Sequence, residues 1–154
     1  TLYDRMGPGI EMSGGSAANS IAGLASLGGK GAFIGKVRDD QLGRIYRHDM
    51  RTGGIHFGTP AADDGPATAR CLILVTPDAQ RTMNTFLGAA VNLGPEDIDH
   101  DVIRDSAVTY MEGYLFDREE AKQAFVKAAE AAHAKDRLQL HAAGRMEWHP
   151  TCLR

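Results

Sequence analysis

Two adjacent glycines, Gly14 and Gly15, lead into a run of small residues that carries one amide side chain, Asn19. Paired glycines let the backbone approach a ligand closely and adopt dihedrals that other residues avoid. The helix predicted to follow offers unpaired N–H groups and a partial positive charge at its start. An amide both donates and accepts hydrogen bonds. The combination suits a hydroxyl-rich or anionic small molecule. Taken alone, the glycines also describe an ordinary loop-to-helix turn.

The elements that must position this turn alternate along the chain. Residues 16–27 read as a helix with Ile21, Leu24, Ala25 and Leu27 on its buried face and Gly28-Gly29 as its stop. Residues 31–37 read as a strand apolar enough to be buried on both faces. Asp39 and Asp40 are expected to cap a helix running through Leu42, Ile45, Tyr46 and Met50 to Gly53-Gly54. Residues 55–57 begin another strand, and 63–66 form a loop. Residues 69–76, the turn 77–80 and residues 81–86 have the spacing of a β-hairpin. A core strand over 107–113 and a helix over 119–134, with Ala121, Phe125, Ala128, Ala129 and Ala132 at helical spacing, complete the pattern. The fold class is α/β: a mainly parallel sheet flanked by helices, with a small antiparallel sheet attached.

Composition removes several classes. A chain of 154 residues fits one domain able to bury about 70% of its unfolded surface. The net charge is −3, from 17 basic and 20 acidic residues, and no basic stripe offers nucleic acid a footprint. No apolar run approaches the roughly 18 residues of a membrane span, and residues 1–5 lack the apolar core of a signal peptide. Cys71 and Cys152 are far apart and form no metal motif, which predicts a reducing, cytoplasmic setting. Residues 23–30 superficially resemble a P-loop, but Gly31 follows Lys30 where Ser or Thr is required. No G-x-G-x-x-G follows a strand, and no G-x-S-x-G elbow occurs. The histidines show no metal spacing; the grouping of His141, His149 and Cys152 reads as accidental, and no metal site is expected.

Five ordered blocks resemble the PfkB, or ribokinase-like, carbohydrate kinases. They are Gly14 to Asn19, Leu27 to Gly29, Phe33 to Gly43, Val75 to Ala89, and the pair Leu93–Ile98 with Tyr110–Leu115; the last pair is most similar to the bacterial adenosine kinase-like branch. The resemblance covers residues 1–134 and implies a ribokinase-like sheet with a hairpin lid. It also implies ATP- and Mg²⁺-dependent phosphorylation of a sugar or nucleoside hydroxyl. Residue by residue, it makes Gly14, Gly15 and Asn19 substrate-binding. Glu112 matches a carboxylate that helps hold the sugar, and a strand end is where open α/β sheets place ligands. Lys36 and Asp40 fall in a family motif; their first reading is a surface charge and a helix cap. Lid strands are expected at about 55–57 and 69–87, with Arg70, Thr82 and Met83 closing over the substrate and excluding water.

The departures shape the remaining expectations. Ile21 stands where the signature has a small residue. No Gly-Ala-Gly-Asp segment occurs, so no catalytic base or anion hole is assigned. The family's earlier strand with a substrate-binding Asp is also missing, and residues 135–154 read as an atypical tail. The expectation is therefore a ribokinase-like domain truncated at both ends, as from a truncated or frame-shifted gene. It should be an inactive substrate-side fragment, or alternatively a non-catalytic sugar- or nucleoside-binding module that dimerises through its hairpin.

Overall fold

The computed structural model describes residue 4, residues 7–133 and the backbone of residues 138–141. Helix α1 spans Ser16–Ser26, β1 Gly31–Ala32, α2 Gln41–Thr52, β2 Ile55–His56, β3 Arg70–Val75 and β4 Arg81–Phe86. Short 3₁₀ turns at Gly88–Asn92 and Pro95–Asp97 lead to α3 at His100–Asp105. Strand β5 (Thr109–Glu112), a 3₁₀ turn at Gly113–Leu115, α4 (Glu119–His133) and β6 (Leu138–His141) follow.

Gly15 starts α1 at φ 113, a conformation that L side chains rarely adopt, and its carbonyl accepts the Asn19 N–H at 2.7 Å. The helix ends at Leu27, where Gly28 turns to φ 84. Its buried residue is Ala18, with Ile21 and Ala25 packed beside it against Met50, Ile55 and Phe57. Leu24 and Leu27 do not lie on the buried face as expected: they are 46% and 87% exposed. The core-facing stripe runs through Ala18, Ile21 and Ala25, which leaves Leu24 folded over Gly29 and Leu27 beyond the last helical turn.

Of the two expected caps Asp40 serves α2, and Asp39 instead pairs with Arg44. The Asp40 carboxylate caps the helix by accepting the Gly43 N–H at 2.8 Å, and Gly53 and Gly54 (φ 78) end it. Gly43 is required by space, because a Cβ there would lie 1.9 Å from the Arg38 carbonyl oxygen.

Among the described residues the strands form three pairs. β1–β2 is parallel, β5–β6 is parallel with Thr109 opposite Leu138 and Glu112 opposite His141, and β3–β4 is antiparallel. The mainly parallel sheet of the sequence reading is thus present as two parallel pairs. The strand expected over 31–37 is laddered only at Gly31–Ala32, and pairing resumes at an Arg38–Ala62 bridge. Pro60 lies in the interrupted partner segment and has no N–H to contribute. Of residues 55–57, named with the lid strands in the sequence, Ile55–His56 form β2 and pair in parallel with β1. Residues 138–141, assigned to the atypical tail, form β6; the tail beyond them, with His149 and Cys152, lies outside the described residues.

Two apolar clusters hold the layers. One joins Ala18, Val37, Met50, Ile55 and Phe57, with the rings of Phe33, Tyr46 and Phe57 5.3–6.1 Å apart. Burial in this cluster pushes the Tyr46 phenol up to about 12. The other joins Ile98, Ile103 and Met111 to Ala124, Ala128 and Ala132 of α4, whose small side chains allow close packing. Consecutive residues stitch the clusters together, since Phe33 packs on the first and Ile34 on the second.

Burial alone would raise the Asp40 carboxyl. Hydrogen bonds from the Thr68 hydroxyl and amide and from the Gly43 amide, with Arg38 nearby, outweigh it and hold the group below its ordinary 3.8. A depressed carboxyl contributes stability above its unfolded value, and that contribution is lost as pH falls through the folded value. The stability difference between wild type and Asp40→Asn, measured by urea unfolding, is expected to be constant at neutral pH and to shrink below pH 3.8.

Candidate acceptor site

Glu112 ends β5 with its side chain half-buried. Ser16, the first helical residue of α1 and 96 positions away in sequence, donates its hydroxyl to Glu112 Oε2. Tyr110, on the same strand face two residues earlier, donates to Glu112 Oε1 at 3.0 Å. Desolvation first, then this hydrogen bond and the Glu112 charge, raise the Tyr110 phenol above its ordinary 10. The fold therefore brings Glu112 to the residue that directly follows Gly15. A carboxylate at the start of a helix also lies at the favourable end of its dipole.

Gly14 and Asn19 line a groove of about 270 Å³ between α1 and α2, with Ala18, Ala22, Tyr46 and Met50 among its walls. At its rim Ser13 Oγ donates to Asp49 Oδ2 at 2.6 Å. Glu112 is not part of this groove's wall, so the substrate-binding residues expected from sequence fall into two neighbourhoods flanking α1. Ser16 and Tyr110 were not singled out by the sequence reading. The available signal was a hydroxyl at the first helical position and an aromatic at strand spacing from Glu112, and both are common enough to pass unnoticed.

The three lid candidates lie on the hairpin but not on one face. In the register Arg70 opposes Phe86, Leu74 opposes Thr82 and Ile73 opposes Met83. Opposed residues share a face and neighbours alternate, so Arg70 and Thr82 point to one side and Met83 to the other. Arg70 stacks on the Phe86 ring at 5.4 Å. Met83 is 55% exposed.

Lys36, read first as a surface charge, is a half-buried residue that pairs with Asp97 at 2.5 Å. The Asp97 side chain is 2% exposed, and its second oxygen accepts the Gly94 N–H at 3.0 Å. The pair pins the segment after β1 to the turn before α3. The partner lies 61 residues away, which is why the sequence alone did not show it.

A second cavity of about 220 Å³ is walled in part by His56, Thr59, Glu96, Asp97 and Asp99. Neither cavity wall carries a Lys or Arg, and both include carboxylates. Such walls offer a polyphosphate no cationic partner, and these residues are not assigned to hold ATP. Among the described residues, no three His, Cys, Asp or Glu side chains are grouped to hold a metal ion.

Comparison with known proteins defines the class. The model of the pfkB family carbohydrate kinases matches residues 11–145, and the chain belongs to that family. The crystal structure of adenosine kinase from Sinorhizobium meliloti is 56% identical, with a TM-score of 0.83 over 90% of this chain and 43% of that one. A probable sugar kinase from Rhizobium etli is 52% identical at the same TM-score, over 90% and 42%. Fructokinase of Solanum tuberosum is 29% identical over 125 residues, 80% of this chain and 39% of that protein. The chain thus spans about two fifths of the length of these relatives. ATP is bound in solved structures that share only the fold, with Mg²⁺ in one of them.

Removing one partner of a buried ion pair leaves the other charge stranded, at a cost of about 3 kcal/mol or more. Lys36→Ala is expected to lose that much stability in urea unfolding. Arg44→Ala, which breaks an exposed pair with Asp39, is expected to lose less than about 1 kcal/mol.

Proposed function

We propose that this chain carries the acceptor-binding part of an adenosine kinase-like PfkB phosphotransferase, with a sugar or nucleoside hydroxyl as acceptor. The observation that carries the reading is the Glu112 carboxylate, held beside the Gly14–Gly15 turn by Ser16 and Tyr110. Support for the adenosine branch comes from the 56% identity to an adenosine kinase.

In this reading Glu112 accepts from two vicinal hydroxyls, which take over the positions of the Ser16 and Tyr110 hydroxyls. Gly15 lets the backbone approach the ligand, and Gly14 and Asn19 shape the neighbouring groove. The hairpin closes over the acceptor with either its Arg70–Thr82 face or its Met83 face. ATP and Mg²⁺, which related structures bind, would supply the phosphoryl group and offset its charge, and the cavity residues described above are not assigned to hold them. Phosphoryl transfer depends on positioning and charge neutralisation around the phosphate. The sequence contains no Gly-Ala-Gly-Asp base and anion hole, so the chain alone is proposed to bind the acceptor with little or no turnover.

A thermal melt with adenosine, ribose or fructose tests the reading. A ligand at about 100 times its dissociation constant adds roughly 2.7 kcal/mol to the folded state. Adenosine is expected to raise the midpoint of the wild type and to leave Glu112→Gln unchanged. A wild-type midpoint that none of the three ligands moves would overturn it.

One observation favours a second reading, a module that pairs with another copy of itself. Leu72, Ile73, Val75 and Met83 on the hairpin are 51–67% exposed, and a hairpin edge is a ready pairing surface. Light scattering is then expected to show a mass that rises with concentration and returns to that of a monomer in Ile73→Lys. A wild type that stays monomeric at all concentrations removes this reading.

A further inference from the structure

We propose that Asp40 and Thr68 form the fixed anchor from which the β3–β4 hairpin projects, and that Thr68 is a positioning residue setting where the hairpin lies relative to α2. Thr68 is 4% exposed and stands two residues before β3. Its hydroxyl donates to Asp40 Oδ1 at 2.7 Å, and its amide donates to Asp40 Oδ2 at 2.8 Å. The Arg38 amide in turn donates to the Thr68 hydroxyl at 3.0 Å. The same Asp40 carboxylate caps α2 through Gly43, so one group ties the helix to the entering strand.

The departing strand is tied at the same place. Ala89 N–H donates to the Ala67 carbonyl at 2.9 Å. Gly88 takes φ +50, and a Cβ there would sit 2.1 Å from that carbonyl oxygen. Both legs of the hairpin are therefore held at residues 67–68 and 88–89.

Among the described residues, burial does not fix its direction beyond this base. β4 is exposed along its whole length, and β3 contains no buried residue. Without a packed face, the direction of the hairpin has to come from its base. Segments with few buried contacts open at little free-energy cost unless they are fixed at their ends. For acceptor binding the consequence rests on the lid reading above, whereas the anchoring itself does not.

The test is a distance measurement on the full chain. Spin labels are placed at His48→Cys on α2 and Gln80→Cys at the hairpin turn, both exposed positions, with Cys71→Ser and Cys152→Ser removing the native thiols. Pulsed electron resonance then reads the width of the distance distribution. Thr68→Val is expected to broaden it about twofold or more, while Thr68→Ser, which keeps the hydroxyl, preserves the parent's width. Should Thr68→Val fail to fold, Asp40→Asn asks the same question. It retains an oxygen for Gly43 but turns an NH₂ toward the Thr68 amide, and the same broadening is expected. A distribution as narrow as the parent's in the folded variant overturns the anchor. Saturating adenosine separates the two claims. If the lid reading fails, adenosine leaves the parent's distance unchanged while the Thr68 effect stands. If the anchor fails, the parent responds to adenosine and Thr68→Val behaves identically.

Discussion

A single carboxylate, Asp40, couples helix formation to the placement of the hairpin. Its two oxygens accept from Gly43, in the first turn of α2, and from both donors of Thr68, which precedes β3. The geometry is tight enough that Gly43 has no room for a side chain. α2 in turn forms one wall of the groove holding Gly14 and Asn19, and supplies Met50 and Tyr46 to the first core cluster. The cap of α2 and the base of the hairpin thus share the same few hydrogen bonds, while α1 meets α2 through the apolar cluster.

The second constraint is the Lys36–Asp97 pair, which joins the two halves of the chain where their apolar clusters meet. Phe33 and Ile34 face different clusters, and the ion pair pins the segment that follows them. Glu112 rises from the second half and reaches the start of α1 in the first. The candidate site is therefore a property of how the halves meet, and neither half contains it.

Local chemistry explains what the sequence made legible. α2 was readable because its cap and its glycine stop are adjacent-residue signals, and the hairpin because Pro77-Asp78 separates two β-prone runs. The ladder of β1 was overestimated because Pro60, on another segment, interrupts its partner. The buried face of α1 was misjudged because Leu27 is apolar but lies past the last turn. Glu112 could be matched to a family position, yet its hydroxyl partner Ser16 depended on a contact across 96 residues. Lys36 carried no sign of Asp97. Residue type reports backbone preference well; it reports long-range partners only once the fold supplies them.

The two-sided exposure of the hairpin bears on its register. In a strand with one buried face, a slip by one residue would drive apolar side chains into water, and burial would oppose it. Here neither face is buried, so that opposition is absent. Alignment has to be enforced from the two ends. At the tip, Thr76 N–H donates to the Gln80 carbonyl at 2.9 Å, Asp78 accepts the Thr76 hydroxyl, and Ala79 takes a positive φ of 63. At the base, the Arg70 guanidinium lies over the Phe86 ring of the opposing residue. The hairpin is a ladder whose first and last rungs carry the alignment that burial supplies in other strands.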